Sequence, residues 1–414
     1  MKVEVEVISK EIIKPSSPTP DHLRTYHLSF LDQISPPVHN PLVIFYSSEP
    51  DTKFNIVDIS NQLKKSLSDV LTLFYPLAGR AHGNLFIDCN DEGIPYLETR
   101  VNCQLSHVIQ NPIPSELKKF IPFQVHEVAD LSLGVQLNIF DCGGIALAIA
   151  RQQDEHIVCP QFVSATLFPP RNISGFNPRT GITKQNVVTK RFIFDASKIE
   201  ALKAKYSIDN YSQSLESYQK PPSRVEALSA FIWSRFVAST QVKSELAPDR
   251  LYTIVHAVNL RTRIDPSLPE HSFGNLYRIA MTIPSLQTGE ECYGLVRQVR
   301  DQVRQIDKHY VSKLQQGSEH LDFIKQSSEN FFKGEMVTLS FTSLCRFPLY
   351  EADFGWGKPT WVGSPPLSFN NLVVFMDAKS GGGIEAYINM KEEDLAKLEG
   401  DNEFLAYVSP HGFK

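Results

Sequence analysis

The stretch LNIFDCGGIALAIARQQDEHIVCPQF, Leu137 to Phe162, decides how the first part of this chain folds. Aliphatic residues alternate with other residues on both sides of the pair Gly143-Gly144, which predicts a buried strand. From Arg151 the sequence turns polar, and it then runs directly into a loop that contains Pro160. Something that ought to follow such a strand is absent from the sequence.

The composition is that of an ordinary globular protein. The 414 residues include 42% hydrophobic and 21% charged residues, and the length suffices for two domains or one large one. A net charge of -5 gives no electrostatic reason to expect nucleic acid or an anionic membrane as a partner. The N-terminal residues alternate between apolar and charged types, which is a strand pattern rather than the apolar core of a signal peptide. No run approaches the roughly 18 apolar residues of a membrane span, so we expect a cytoplasmic protein.

Several common kinds of site lack support in the sequence. The six cysteines are scattered and form no CxxC pair, so neither a disulfide framework nor a metal site is indicated. There is no GxGxxG, P-loop or GxSxG pattern, which argues against nucleotide-phosphate binding and hydrolase triads. The glycine-rich SGGGIEA, Ser380 to Ala386, lies between two predicted strands and is typical of a hairpin turn rather than a phosphate cradle.

Strand and helix patterns alternate along the chain, which predicts an α/β fold of mixed sheets flanked by helices. Apolar spacing predicts a helix over Ile56–Phe74 and one long amphipathic helix over Gly294–Leu314. Ser223 and Glu226 have the spacing of a capping box, which predicts that a further helix begins there.

A turn-rich segment divides the chain. Phe168–Gln185 has little hydrophobic periodicity and several prolines and glycines, so we interpret it as the connection between two domains. The predicted domains are residues 1–180 and 181–414.

Seven motifs carry a resemblance to a known family. In chain order they are IKPSSPTP from Ile13, FYPLAGR from Phe74, CNDEG from Cys89, FDCGG from Phe140, AVNLRTRIDPSLP from Ala257, FGNL from Phe273 and YEADFGWGKP from Tyr350. This series, and DFGWG above all, resembles plant acyl-CoA-dependent acyltransferases of the BAHD family. The N-terminal motifs resemble the branch that acetylates alkaloid alcohols and related specialised metabolites.

The resemblance implies two similar α/β domains of the kind found in CoA-dependent acyltransferases, with a channel between them. Acyl-CoA, acetyl-CoA for this branch, enters from one side as a co-substrate, and a small-molecule alcohol enters from the other. A histidine in an HxxxD motif, just after the CGG strand, takes the proton from the alcohol during attack on the thioester. An imidazole is the natural base for this step near neutral pH. The resemblance also implies a monomer with no bound cofactor or metal.

The chain departs from the family where this histidine should be. Gln153 stands at about that place, and no HxxxD begins there. The residues from Arg151 onward resemble the loop that follows the catalytic helix in the family. The HxxxD motif and its helix are therefore interpreted as deleted, a loss of about twenty residues, the size of one helix and a loop. No intact catalytic residue is predicted.

Two histidines could be considered as substitutes. His126 and Asp130 spell HxxxD in HEVAD, but they precede the CGG strand, in a segment that the family leaves variable. His156 lies nearer the expected place, and the preceding carboxylates of Asp154 and Glu155 would raise its basicity. The pattern around His156 is nevertheless more typical of an exposed loop, and that around His126 of a solvated one.

Three further positions lie near family motifs. His256 alternates with strand residues, which favours a packing role or a place in the wall on the CoA side, and His271 is interpreted as a loop residue. Leu344 stands where the family commonly has a tryptophan that lines the acceptor side of the channel. A leucine there would widen the acceptor site and remove an indole N–H donor.

The DFGWG motif, Asp353, Phe354, Gly355, Trp356 and Gly357, is structural in the family. By resemblance, the Asp353 carboxylate is expected to form an ion pair with Arg261. Loss of one partner from a buried pair costs about 3–5 kcal/mol.

The sequence leaves three functional hypotheses. The first is an O-acyltransferase that is impaired in this chain, through a splice form, a gene-model error or decay of the gene. The second is a catalytically dead relative that acts at most as a binding protein. The third is a changed activity that uses the channel without the histidine.

Overall fold

The computed structural model describes residues 3–48, 54–123, 131–152, 160–173, 182, 187–207, 220–241, 251–269, 272–284, 293–316, 336–379 and 381–409. Over these ranges the strands are, in chain order, β1 (Val5–Ile13), β2 (Thr25–His27), β3 (His39–Tyr46), β4 (Arg80–His82), β5 (Phe86–Asp88), β6 (Ile94–Val101), β7 (Leu133–Phe140), β8 (Ile145–Gln152), β9 (Val187–Phe194), β10 (Leu251–Asn259), β11 (Tyr277–Thr282), β12 (Met336–Ser343), β13 (Trp361–Gly363), β14 (Leu372–Asp377) and β15 (Ile384–Lys391).

The α-helices over the same ranges are α1 (Phe30–Ile34), α2 (Ile56–Leu73), α3 (Leu105–Gln110), α4 (Pro114–Leu117), α5 (Ser164–Leu167), α6 (Ala196–Lys205), α7 (Arg224–Gln241), α8 (Tyr293–Gln305), α9 (Lys308–Gln316), α10 (Glu392–Glu399) and α11 (Asn402–Tyr407). The mixture of strands and helices confirms the predicted α/β class.

Two six-stranded mixed sheets form the framework. The first sheet has the order β1-β6-β7-β8-β3-β13, in which only β6 and β7 are parallel neighbours. The second sheet has the order β11-β10-β12-β14-β15-β9, in which β12 runs parallel to both of its neighbours. A small sheet of β2, β5 and β4 lies apart from them. Two sheet-rich units are therefore present, as the sequence predicts.

The CGG stretch forms a hairpin of two strands, β7 and β8, where the alternating pattern predicted a single strand. Gly143 has a φ of 82°, a left-handed conformation that glycine adopts without strain. The Gly143 amide donates to the Phe140 carbonyl at 2.8 Å, and the Phe140 amide donates to the Gly144 carbonyl at 2.9 Å. The glycine pair therefore turns the chain back on itself, so both aliphatic runs lie side by side in the first sheet.

Most of the predicted helices and turns are confirmed. Helix α2 covers the predicted segment, and α7 begins at the predicted capping box, where Ser223 and Glu226 exchange backbone and side-chain hydrogen bonds of 2.7 and 3.2 Å. The hairpin of β14 and β15 encloses the glycine-rich turn. The predicted single helix over Gly294–Leu314 is wrong, because it divides into α8 and α9. The Asp307 carboxylate accepts the Tyr310 amide at 2.8 Å and starts the second helix.

Strand β13 crosses from the second part of the chain into the first sheet, where it pairs with β3. It places Trp361 in the outer core, which lies on the far side of the first sheet, and Val362 in a core shared by both sheets. This shared core contains side chains from both parts of the chain, including Ile44, Leu137, Leu147, Leu372, Val374 and Tyr387. A third core lies on the opposite face of the second sheet, under α6, α7, α8 and α10.

The predicted boundary at residue 180 stays a prediction, because residues 174–181 lie outside the described ranges. In the described part of the chain, no helix is long and apolar enough to cross a membrane.

Candidate functional site

The predicted deletion lies at the end of β8, and we call the stretch between Gln152 and Pro160 the seam. The strand ends at Gln152, and the next described residue is Pro160. The candidate His156 and its neighbours Asp154 and Glu155 therefore lie outside the described residues. The same holds for His126 with Asp130 and for His271.

The two faces of β8 meet different surroundings. Ile145 and Leu147 belong to the shared core, whereas Ala146 and Ala148 belong to the outer core. Alternate residues of β8 therefore face the shared core and the outer core in turn.

His39 is the backbone partner of Gln152, the last residue of β8. Its side chain is only 3% exposed, and its Nε2 lies 2.6 Å from the Leu131 carbonyl oxygen. Its ring packs against Phe123 at 4.8 Å, and it shares its strand face with the outer-core residue Val43. The His39 side chain therefore faces the outer core and not the space between the sheets.

The chain after the seam is anchored against the second part of the molecule. The Phe273 amide donates to the Gln161 carbonyl at 2.9 Å. The ring of Phe162 lies 4.8 Å from that of Tyr75 and 5.2 Å from that of Phe273. The Tyr26 and Ser164 hydroxyls are 3.0 Å apart in the interior. The chain before the seam is paired in the first sheet, and the chain after it is fixed by these contacts. Only seven residues separate Gln152 from Pro160.

In the second sheet, a longer helix follows the corresponding antiparallel pair of strands. The hairpin of β10 and β11 is followed by α8, of thirteen residues, which contributes Leu295, Val296 and Val299 to the core that it shares with α7. The next described helix after the hairpin of β7 and β8 is α5, with four residues. Helix α2 is also open to solvent, since Val57 is 68% and Leu73 is 48% exposed. Among the residues that the structure describes, the first sheet therefore carries less helical cover after its hairpin than the second sheet does.

His256 lies on the helix-covered face of the second sheet. Its Nε2 is 3.0 Å from the Ser229 hydroxyl, and its ring stacks on Phe341 at 5.1 Å. Burial lowers the pKa of His256 to about 4, against a smaller opposing effect of the Glu226 carboxylate. The predicted packing role agrees with these contacts, because the imidazole is neutral and faces away from the shared core.

The burial of His256 predicts a loss of stability in mild acid. Its pKa in the folded chain, about 4, is lower than its ordinary value of 6.5, so the unfolded chain binds more protons between these values. The free energy of unfolding should therefore fall as the pH drops from about 6.5 to 4, by about 3 kcal/mol in total. His256→Gln should flatten this slope in urea unfolding at several pH values. His82→Gln, at a histidine that is 55% exposed, should not flatten it; identical slopes in all three proteins would contradict the prediction.

The DFGWG motif lies against the first part of the chain. The Tyr46 hydroxyl donates to the Ala352 carbonyl at 2.7 Å, and the Gln62 amide donates to the Phe354 carbonyl at 2.8 Å. The Trp356 ring lies 6.0 Å from that of Tyr46. Burial, together with the nearby Asp353 carboxylate, raises the pKa of Tyr46, so its hydroxyl stays protonated at neutral pH. These contacts join the loop before β13 to β3 and α2.

The predicted ion pair between Asp353 and Arg261 is wrong. The exposed Asp353 carboxylate accepts the amides of Gly355 and Gly357 at 2.8 and 3.0 Å, and these hydrogen bonds lower its pKa. Arg261 follows β10, and its Nη2 donates to the carbonyls of Ser272 and Gly274 at 3.0 and 3.3 Å. Each residue therefore fixes its own loop, and Asp353 acts within the turn of its motif.

The glycines of this motif are needed for their backbone conformation. Gly357 has a φ of 104°, and a Cβ atom there would have no atom within 4 Å. Gly357→Ala should therefore lower the free energy of unfolding by about 1–3 kcal/mol through backbone strain alone. The control is Gly294→Ala in α8, whose Cβ would meet nothing closer than 3.6 Å and which replaces glycine by a better helix former. Equal melting temperatures of the two variants would argue against strain at Gly357.

Leu344 follows β12 and is partly buried against the shared core. The Leu344 amide donates to the Phe375 carbonyl at 2.8 Å, which fixes the backbone at this position. The place at which the resemblance puts the acceptor thus lies beside the core between the sheets.

Two other features were not predicted from the sequence. A buried ion pair joins Arg191 on β9 to Glu385 on β15, and β12 carries alternating hydroxyl side chains. The alternation in TLSFTS, Thr338 to Ser343, is a sequence signal that could have revealed the hydroxyl row.

A cavity of about 530 Å³ lies elsewhere, on the outer face of the first sheet, and Val5, Leu97, Phe123 and Gln136 are among its lining residues. It is on the opposite side of that sheet from the shared core. Within the described ranges, no three His, Cys, Asp or Glu side chains are grouped as metal ligands would be.

Comparison with known proteins gives full-length matches. A family model described as the Transferase family matches residues 3–160 and 152–405, and these two segments overlap at residues 152–160. Stemmadenine O-acetyltransferase of Catharanthus roseus is 35% identical over 97% of both chains, and the alignment spans 430 positions, more than the length of this chain. Limonoid 21-O-acetyltransferase of Citrus sinensis is 32% identical over 99% of both chains. The crystal structure of vinorine synthase superimposes with a TM-score of 0.82 at 32% identity, over 99% of this chain and 100% of that one.

Proposed function

This chain belongs to the Transferase family, the BAHD acyl-CoA-dependent acyltransferases, and on that basis we propose that it is an O-acetyltransferase of plant specialised metabolism whose catalytic rate is impaired. The proposed donor is acetyl-CoA, and the proposed acceptor is a hydroxyl group of a small molecule that enters a channel between the two sheets. The proposal includes a monomeric state and a cytoplasmic location.

Acyl transfer from acetyl-CoA to an alcohol is accelerated by a general base, and the proposed deletion removes that base. The acceptor oxygen must attack the thioester carbonyl, lose its proton and release CoA as the thiol. A neutral alcohol is a poor nucleophile, so a positioned base accelerates this step by about 10²–10⁴-fold. Without a base, the chain can still hold the two reactants close together, which by itself increases the rate.

The single observation that carries the proposed impairment is the place at which the family match divides into two segments. The two matched segments overlap over residues 152–160, where the resemblance expects HxxxD. The alignment of 430 positions with a relative also requires gaps in this 414-residue chain. The absence of a described helix comparable to α8 after the hairpin of β7 and β8 supports the same conclusion.

A second candidate function is binding without catalysis, and the placement of the buried histidines favours it. Of the seven described histidines, only His39 and His256 are buried, and both lie on faces turned away from the shared core. The other five are exposed. On this alternative the chain holds acyl-CoA or an alcohol and transfers nothing.

Two measurements test the proposal. Calorimetric titration with acetyl-CoA should show binding, and an assay over a panel of alcohols should show transfer far slower than that of stemmadenine O-acetyltransferase. Binding without any transfer would select the second candidate. Transfer as fast as that of the relative would refute the impairment, and absence of CoA binding would refute the family function. Sequencing of transcripts across Ala150–Asp154 would show whether a longer form exists.

A further inference from the structure

We infer that the cavity of about 530 Å³ on the outer face of the first sheet, called the outer cavity below, binds a small, neutral and largely apolar molecule that bears a hydroxyl group. The outer cavity lies on the opposite side of that sheet from the shared core, so the inference goes beyond the proposed acyl transfer and does not depend on it. Its volume falls within the range of about 300–1,000 Å³ that is usual for small-molecule sites.

Strands of the first sheet form the floor of the outer cavity. Leu97 on β6 and Gln136 on β7 are direct partners in this sheet, and both line the cavity. On one side lies β1, the strand at the edge of the sheet, where the lining residue Val7 is 56% exposed. Phe123 lies on the other side. The cavity is thus an apolar slot that opens to solvent beside β1.

The Phe123 side of the slot depends on a glycine. A Cβ atom at Gly134 on β7 would lie 2.2 Å from Cε1 of Phe123 and 3.0 Å from Cγ of Pro122, so only glycine leaves room for both rings. The Phe123 ring also packs against the His39 ring at 4.8 Å. The wall is therefore held in close contact with the sheet.

A buried amide next to the floor has a fixed orientation. The amide nitrogen of Asn138 donates to the carbonyls of Phe120 and Ala146 at 2.9 and 3.1 Å. Since a carbonyl can only accept, the nitrogen of this amide faces those two groups, and its oxygen faces the other way. That oxygen accepts the Gln136 amide nitrogen at 2.7 Å. The Asn138 side chain therefore determines how Gln136 is oriented.

The oxygen of the Gln136 amide is left as an acceptor. Its nitrogen donates to the Asn138 oxygen and also to the Lys119 carbonyl at 3.2 Å, so the oxygen lies on the other side of the amide. This oxygen accepts no hydrogen bond from any residue that the structure describes, and it is not among the unpaired polar atoms that solvent cannot reach. Gln136 is only 2% exposed. An acceptor at this depth stabilises a bound molecule that donates a hydrogen bond to it.

The charges at the outer cavity favour a neutral molecule. The Lys119 ammonium group forms an ion pair with Glu116 and donates to the Val3 carbonyl at 2.9 Å, so its charge is already compensated. The other charged residue of the lining, Glu4, is exposed, and its carboxylate accepts the Asn102 amide nitrogen at 3.3 Å. A charged amine would be costly to bury in an apolar slot. A hydroxyl on an apolar skeleton supplies the required donor without a charge.

The test follows a methyl group inside the outer cavity. Ile121 lines the cavity, and in a chain with labelled isoleucine methyl groups its NMR signal is identified by its loss in Ile121→Val. Menthol should shift this signal in a saturable titration. The signal of Ile254, which is fully buried in the core under the helices of the second sheet, should not move. Menthone has the same skeleton but a ketone in place of the hydroxyl, so it should bind about 3- to 10-fold more weakly.

Substitutions then test the acceptor and the cavity separately. Gln136→Met removes the acceptor at a similar size, so menthol and menthone should bind alike; the Asn138 oxygen still accepts the Thr99 hydroxyl at 2.8 Å. Val7→Trp places an indole at the exposed side of the cavity and should abolish the menthol-dependent shift. Its matched control is Ile12→Trp, on the same strand, at a residue that is 49% exposed and outside the cavity lining. This variant should bind menthol like the unchanged chain.

Three results would each overturn the inference: no saturable shift of the Ile121 signal with menthol, equal affinities of the unchanged chain for menthol and menthone, or a full menthol response in Val7→Trp. The remaining isoleucine signals show whether each variant is folded. Val7→Trp alters a mostly exposed side chain, so it tests the cavity even if Gln136→Met does not fold. None of these results bears on the proposed function, because acetyl-CoA binding and acetyl transfer are measured separately.

Discussion

On the proposed function, insertion of a helix with the HxxxD motif of the family between Ala150 and Asp154 is expected to raise the rate of acetyl transfer by about 10²–10⁴-fold, the usual contribution of a general base. The inserted segment would begin where β8 ends, at the place where the two segments of the family match overlap. It would return an imidazole to the space between the sheets and a helix to the first sheet. The measurement is kcat/KM for acetyl-CoA with an alcohol that the unchanged chain acetylates slowly.

A matched insertion separates the chemistry from the fold. The same segment with alanine in place of its histidine should restore stability without restoring the rate. Each large buried side chain that the helix supplies contributes about 2–5 kcal/mol, so both insertions should raise the melting temperature. Equal rates in the two insertions would show that the base is not what this chain lacks. A lower melting temperature in both would show that the first sheet has no place for the helix.

Local patterns predicted local structure well. The periodicity of α2 and the capping box of α7 are properties of neighbouring residues, and both helices begin where the sequence indicated. The hairpin of β7 and β8 was missed because aliphatic alternation continues across the glycine pair, and only the backbone at Gly143 shows the reversal. The division between α8 and α9 depends on one side chain, Asp307, within an otherwise continuous amphipathic pattern.

Features that depend on distant partners could not be predicted in the same way. Strand β13 has three residues, too few for a periodic signal, and it is defined by its pairing with β3 more than 300 residues earlier in the chain. The supposed pair of Asp353 and Arg261 came from resemblance alone, and the two residues serve different loops. The deletion was predicted from the resemblance to the family pattern alone, and the face of β12 on which its hydroxyl side chains lie follows only from the register.

The pair of Arg191 and Glu385 is expected to be the most costly polar interaction to break. Its side chains are 5% and 3% exposed, and the guanidinium makes two hydrogen bonds to the carboxylate, of 2.6 and 2.5 Å. The carboxylate also accepts the Tyr387 hydroxyl at 3.1 Å and the Trp361 indole N–H at 3.4 Å. Since Trp361 lies on β13 and stacks on Phe45 at 5.2 Å, the pair links the second sheet to the strand that enters the first.

Glu385→Gln keeps the size of the side chain but leaves the buried Arg191 charge uncompensated, so it should lower the free energy of unfolding by about 3–5 kcal/mol. The matched control is Glu399→Gln. Glu399 forms an ion pair of 2.5 Å with Lys190, the residue before Arg191, but the Glu399 and Lys190 side chains are 35% and 47% exposed. An ion pair that is exposed to solvent contributes only about 0–1 kcal/mol. Urea unfolding of both variants measures the difference. Replacement of both buried partners, as Arg191→Met with Glu385→Leu, should recover part of the loss, because no isolated charge then remains in the interior. Equal effects of the two glutamine substitutions would mean that solvent reaches the Arg191 pair as readily as the surface pair.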